Sequence, residues 1–459
     1  MPNSSVSKKL DQSKKHPIGL YVICFTEMWE RFSYYGMRGL LMLFLTTQLV
    51  KGGLGFDTKS AGIIYGNFTG MVYLTPLIGG WLADRYLGHR KAIIIGGFLI
   101  MFGQFALFAT HTKSMLYLAL LLLILGNGFF KPNMSAIVGN LYDKTDARKD
   151  AAYTIFYMAI NIGAFFAPLI CGAIAEQLFA QKSGGEIISY AYRYGFLVSG
   201  IGMVLGQIGF MCLANKYLGD IGKHPVTKSS NTKKASDNHP LTHQEKKRVA
   251  SIFILSFFVI FFWAGFEQAG ASLTIYTRDF INRDIGGFLV PITWFQSLNP
   301  VFCVTLGPIM GALWIKLSKR KQGDLSTPQK MSIGLVLLGL GFLLMVGAVL
   351  QRGSAGNDVA VKANMLWLIG AYLLHTVGEL CLSPVGLSMV SKLSPPKLAS
   401  FLMGVWLLSS AVANKVAGMV ASVMDTFTHM QIFGTIAVGS ILLGFVLLLL
   451  NKKLISMME

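Results

Sequence analysis

Glu27-Met28-Trp29-Glu30-Arg31-Phe32-Ser33-Tyr34-Tyr35-Gly36-Met37-Arg38 places four ionisable side chains inside the apolar run between His16 and Val50. A membrane-spanning helix needs only about 20 apolar residues, so the run is long enough to cross a bilayer. A charge at that depth costs several kcal/mol unless it is paired or hydrated. On a helix Glu27, Arg31, Tyr35 and Arg38 recur at i, i+4, i+8 and i+11 and share one face. That face cannot look at lipid, so it must look at a partner helix or a water-filled cavity.

Working outward, the 459-residue chain is 53% hydrophobic and only 13% charged, which excludes an ordinary soluble domain. Its 50 glycines suit close helix packing in lipid. The net charge of +19 raises the question of nucleic acid. However, nearly all Lys and Arg sit in short loops between apolar runs, the pattern of a membrane topology. No nucleic-acid partner is expected. No stretch has the form of a cleavable signal peptide. The five cysteines, Cys24, Cys171, Cys212, Cys303 and Cys381, fall in apolar runs and read as packing residues, without a metal or disulfide framework.

The apolar runs predict twelve transmembrane helices in two six-helix bundles, an all-α membrane protein. The predicted organisation is an N-terminal tail (1–16), a first bundle (17–214), a polar linker (215–248), a second bundle (249–451) and a tail (452–459). Of the Lys and Arg residues, 27 lie in loops on the side of the N-terminus, 9 on the opposite side and four within spans. That bias places both termini in the cytoplasm of a multi-pass cell-membrane protein. The halves echo each other weakly: Pro76–Arg85 has a degraded counterpart in Pro308–Lys316, and Lys131-Pro132 has one in Ser383-Pro384. Two like halves suggest alternating access around a site at the bilayer midplane.

Four acids (Glu27, Glu30, Glu267, Glu379) and four bases (Arg31, Arg38, Lys131, Lys415) lie within spans, an arrangement that suggests mutual neutralisation. The first half brings cations in Arg31, Arg38 and Lys131; the second brings anions in Glu267 and Glu379. Such a cavity suits a zwitterion, with carboxylate toward one half and ammonium toward the other. The bland alternative is a set of internal ion pairs that hold helices together. Lys415 reads as a snorkelling or packing residue, and His375 as a packed or hydrogen-bonded one. Among the aromatics, Tyr73 and Trp263 share spans with charged motifs and are expected at the cavity. A hydrolase would need a nucleophile beside a base. His375 is more than two turns from Ser383, so no enzyme is expected.

These motifs resemble the proton-dependent oligopeptide transporter family, a branch of the major facilitator superfamily. Glu27-x-x-Glu30-Arg31-Phe32-x-Tyr34-Tyr35-Gly36 is similar to the family's signature in the first helix, and Phe156-Tyr157-x-x-Ile160-Asn161-x-Gly163 to that in the fifth. Gly79-Gly80-x-Leu82-Ala83-Asp84-Arg85-x-x-Gly88 resembles the superfamily loop motif, which is less specific. Phe262-Trp263-x-x-Phe266-Glu267-Gln268, Gln296-x-x-Asn299-Pro300 and Gly378-Glu379-x-x-x-Ser383-Pro384 complete the set.

The resemblance implies the major facilitator fold and import of di- and tripeptides driven by the inward proton gradient, with protons as coupling ion, no cofactor and a working monomer. It assigns Arg38, Lys131, Tyr35 and Tyr73 to the peptide carboxylate, and Glu379, Asn161 and Asn299 to the amine. Tyr157, Trp263, Ser383 and Trp406 would border the rest of the substrate. Glu27, Glu30, Arg31, Lys131 and Glu267 would couple protons, with Glu267 pairing to Arg38 and releasing it upon protonation. Gly66 stands where animal members carry a proton-linked histidine, so coupling here falls on carboxylates. A transporter of nitrate, an amine or a peptide-like drug on the same scaffold is the alternative.

Overall fold

The computed structural model describes residues 15–143, 146, 148–183, 186–225, 241–320, 323–353, 356, 358–395 and 397–459. The first half comprises α1 (Ile18–Thr46), α2 (Thr58–Leu82), α3 (His89–Phe108), α4 (Lys113–Asn140), α5 (Arg148–Ala173) and α6 (Tyr192–Tyr217). The second comprises α7 (His243–Phe266), α8 (Ser272–Phe280), α9 (Leu298–Ser318), α10 (Thr327–Gln351), α11 (Leu366–Leu393), α12 (Ala399–Ser422) and α13 (His429–Met458). The strands are short pairs in loops: β1 (Gln181–Ser183) with β2 (Glu186–Ser189), β3 (Ile281–Asn282) with β6 (Ala363–Asn364), and β4 (Asp284–Ile285) with β5 (Phe288–Leu289).

Ten of the helical segments are long and apolar enough to cross a membrane, with α7 and α8 counted as one. The first two helices are not among them, α1 because it carries Glu27, Glu30, Arg31 and Arg38, and α2 because Lys59, Asn67 and several Gly and Thr residues dilute its apolar content. Both are nonetheless packed among the others, α1 against α5 and α6, and α2 against α4 and α12. They complete twelve passes.

Local chemistry sets the helix ends. Asp57 caps α2 by accepting from the Ser60 N–H at 3.0 Å, and the bonds from Ser60 hold its carboxyl below the usual range. Thr242, Ser326 and Thr428 form capping boxes with Glu245, Gln329 and Gln431 at the starts of α7, α10 and α13.

Two expectations are corrected here and one is refined. The seventh span is not one continuous helix: α7 gives way to a 3₁₀ turn at Glu267–Gly270, and the backbone at Ala271 leaves helical geometry (φ −119°, ψ −102°) before α8 resumes. The second half begins earlier than residue 249, because the Thr242 cap starts α7 at His243, inside the stretch read as linker. The tail at 452–459 is largely helical. α13 continues to Met458, and Arg248 donates to the carbonyls of Met458 (3.1 Å) and Glu459 (2.5 Å). The linker's centre, 226–240, and most of the N-terminal tail lie outside the described residues.

The two halves meet along α2 and α12. A Cβ on Gly66 would lie 2.8 Å from Gly418 Cα, and one on Gly62 2.5 Å from Ser422 N, so the backbones touch and only glycine fits. Further bonds between halves gather at the ends remote from the termini. Arg283 Nη1 meets Glu176 Oε2 at 3.3 Å, and Ile292 N donates to Glu176 Oε1 at 2.9 Å. Thr293 Oγ1, Trp294 Nε1 and Ser297 Oγ donate to the carbonyls of Pro168, Leu169 and Phe165, and Arg278 Nη1 donates to Thr46 Oγ1 at 2.8 Å. The outer side is therefore the sealed one. In contrast, α9 buries only Pro300 and Cys303, and its later residues Ile309, Leu313 and Ile315 stand exposed.

Candidate functional site

Burial of α1 forces its charges to find partners within the protein. Arg31 Nε meets Glu30 Oε2 at 2.5 Å and Glu27 Oε1 at 3.2 Å, with all three side chains sealed from solvent. The Arg31 guanidinium lies 5.4 Å from the centre of the Tyr34 ring, which packs edge-on against Tyr35. Two turns on, Arg38 leaves this cluster and crosses to the other half. Its Nη2 forms an ion pair with Glu267 Oε2, and its Nε donates to Tyr65 OH at 3.0 Å. The break after α7 presents Glu267 there, at the point where the helix stops. Glycine at 270 leaves room for the Tyr65 hydroxyl, which a Cβ would strike.

The second anion sits apart. Glu379 on α11 accepts from Asn299 Nδ2 at 2.8 Å and from Cys303 Sγ at 3.7 Å, both on α9. Glu379 and the Arg38–Glu267 pair line one cavity of about 160 Å³. Tyr35, Arg38, Tyr73, Tyr157, Asn161, Trp263, Glu267, Asn299 and Glu379, all singled out in the sequence, line it. Asn161 spends its amide nitrogen on Tyr157 O at 2.9 Å, which leaves its side-chain oxygen available as an acceptor. Trp263 is held edge-on by Phe262 and Phe266.

Other expected residues lie off the cavity wall. Glu27, Glu30 and Arg31 form the separate cluster described above. Ser383 is half-buried on α11 beyond the cavity, and Trp406 on α12 packs against Gly386 of α11. Lys131 also stands back from the wall, with its Nζ 4.3 Å from the centre of the Tyr73 ring. The expected mutual neutralisation of four acids by four bases is thus only partial. Lys131 faces an aromatic ring, Lys415 donates to Asn67 across the α2–α12 seam, and Glu379 is held by neutral donors. The reason is geometric: α4 and α12 direct these ammonium groups toward α2, which brings Tyr73 and Asn67 but no acid. His375 stacks on Phe342 with ring centroids 4.7 Å apart and also borders the cavity.

Sequence reasoning missed Tyr65, Tyr372, Thr376 and Cys303. Helical spacing carried a signal for each. Tyr65 lies eight residues before Tyr73, Cys303 four after Asn299, and Tyr372 and Thr376 seven and three before Glu379.

Two six-helix bundles of a multi-pass membrane protein, meeting around a charged central cavity, define a transporter of the major facilitator type. The POT family profile matches residues 90–235 and 214–438. The chain is 38% identical to the "Uncharacterized transporter YclF" of Bacillus subtilis, over 98% of this chain and 97% of that one. It is 30% identical to a "Di-/tripeptide transporter" of Lactococcus lactis subsp. cremoris, over 96% of each. Among solved structures it is similar to a variant of a peptide transporter POT in complex with alafosfalin, with TM-score 0.86, 33% identity, and 97% of this chain and 96% of that one covered. The chain belongs to the POT family, and its family and fold are those of transporters, not enzymes.

Proposed function

We propose that this chain is a proton-coupled symporter that imports di- and tripeptides by alternating access, with protons as the coupling ion, no cofactor and a single chain as the working unit. One observation carries the reading: a cation–anion pair, Arg38–Glu267, and a second anion, Glu379, line one cavity. A zwitterionic peptide satisfies that arrangement head and tail. Its carboxylate replaces Glu267 on Arg38, with Tyr35, Tyr73 and Lys131 at the same end. Its ammonium meets Glu379 beside Asn299 and Asn161. The tyrosine and tryptophan walls take varied side chains because ring faces demand little of their shape. Relatives whose names specify peptides support the substrate class.

In the cycle, a proton on Glu267 frees Arg38 for the incoming carboxylate. Binding across both halves draws them together and closes the outer side. Loss of the proton to the cytoplasm restores the Arg38–Glu267 pair and deprives the peptide of its partner. The Glu27–Glu30–Arg31 cluster supplies a second set of buried carboxylates on the same helix as Arg38. Lys131, lying over Tyr73, would respond to both. Lys131→Ala should abolish proton-driven accumulation, and unimpaired accumulation by this variant would remove Lys131 from the mechanism.

The experiment is uptake of labelled dialanine into proteoliposomes under an inward proton gradient, with tripeptide, free amino acid and nitrate as competitors. Accumulation that tripeptide inhibits and a proton ionophore abolishes is expected. A signal indifferent to the gradient, or inhibition by nitrate, would overturn the assignment in favour of another solute.

A further inference from the structure

Glu379 accepts from two groups, Asn299 and Cys303, and the first of them belongs to a directional chain that starts at Thr376. The Thr376 hydroxyl, buried on α11 one turn before Glu379, donates its only proton to Tyr372 O at 2.7 Å. Its oxygen can then only accept. Asn299 Nδ2 supplies that donor at 3.1 Å and gives its other N–H to Glu379 Oε2 at 2.8 Å. Cys303 Sγ approaches the same oxygen at 3.7 Å. Both donors therefore converge on Oε2, whereas Oε1 has no hydrogen bond among the described residues and the residue borders the cavity. The Tyr372 hydroxyl in turn reaches Ala269 O at 3.4 Å, in the broken turn that carries Glu267.

We propose that Thr376 is a positioning residue for recognition of the peptide ammonium: it fixes the direction of the Asn299 amide, which holds Glu379 with one oxygen directed at the substrate. The inference rests on the peptide reading above. With the amide reversed, Asn299 Oδ1 would face two acceptors, the spent Thr376 oxygen and the carboxylate. The carboxylate alone could orient the amide while ionised and unoccupied. Thr376 keeps it oriented when an ammonium draws on the carboxylate's charge or a proton neutralises it. The amine end is thus set before substrate arrives, which lowers the cost of binding.

Thr376→Val keeps the shape and removes the acceptor. KM for dialanine should rise roughly tenfold, the loss expected when a buried hydrogen bond serving a charged group is removed. Maximal uptake rate should hold, and so should inhibition by N-acetyl-dialanine, which has no ammonium. Thr376→Ser should restore KM to near the starting value. Equal weakening of free and acetylated dipeptide, or no rescue by serine, would mean a packing role and overturn the proposal. If the valine variant is not recovered from membranes, Thr376→Ala is judged by the same selectivity ratio. Glu379→Gln separates the two readings. If it leaves the preference for a free amine intact, the amine assignment itself fails. If it removes that preference while Thr376→Val does not alter it, only the role of Thr376 fails.

Discussion

Glu267→Gln should abolish accumulation of dialanine driven by a proton gradient while exchange of labelled for unlabelled peptide continues. The Arg38–Glu267 pair joins the halves at the inner edge of their sealed outer side, with both side chains largely buried. Truncating one partner of such a pair costs about 2–5 kcal/mol. On the closed arrangement that is a shift of roughly 30-fold or more in the ratio of closed to open forms. Glutamine is close to the protonated state of Glu267 in shape and charge, so Arg38 stays free for the peptide carboxylate and loaded carriers still reorient. The empty carrier, in contrast, loses the pair that distinguishes a proton-bound from a proton-free state, and the gradient has nothing to act upon. Equal loss of uptake and exchange in a correctly folded variant would assign Glu267 a structural role instead. Arg38 keeps its bond to Tyr65 in the variant, so Glu267→Gln tests coupling without releasing the arginine altogether.

The sequence carried the twelve spans, the side on which the termini lie and the charged part of the cavity wall, for one physical reason. Ionisable and aromatic residues inside apolar runs have few tolerable environments. Glu267, Arg38 and Glu379 could be placed on a shared cavity because lipid excludes them. What stayed illegible depends on direction rather than depth. Lys131 lies at a depth that suits a counter-ion, yet α4 points it at Tyr73, and Lys415, which reads as a snorkelling or packing residue, bonds Asn67 across the seam. Trp406 sits on α12, which supplies none of the lining residues, and Ser383 lies on α11 beyond Glu379, and spacing alone does not reveal which face of either helix turns inward. The break at Glu267–Gly270 was also hidden, because Glu267-Gln268-Ala269-Gly270 contains only one residue with weak helical preference. The closed outer side belongs to a state of the molecule, and sequence specifies the set of states without choosing one.

Gly418→Leu should shift the protein away from that closed state and abolish accumulation. Its Cβ would lie 2.6 Å from Gly66 N, with backbone rather than a flexible side chain in the way, so α2 and α12 must separate. Forcing extra atoms into a packed contact costs about 1–3 kcal/mol, roughly 5- to 150-fold in the closed-to-open ratio. The α2–α12 seam and the outer bonds of Glu176, Thr293 and Trp294 are separate contacts between the same two halves, so separation at the seam weakens the hold of one half on the other. Spin labels at Lys51 and Lys362, which border one crevice on the outer side, would report it in a background with the native cysteines replaced by serine. The expected result is growth of a longer-distance population, smaller for Gly418→Ala than for Gly418→Leu and scaling with the loss of uptake. An unchanged distance distribution with intact uptake would show that the glycine contact is dispensable for closing the outer side. An unchanged distribution with lost uptake would place the effect of Gly418 elsewhere in the cycle. This contact also gives a physical reason for the glycine at 66: the position serves the approach of two backbones.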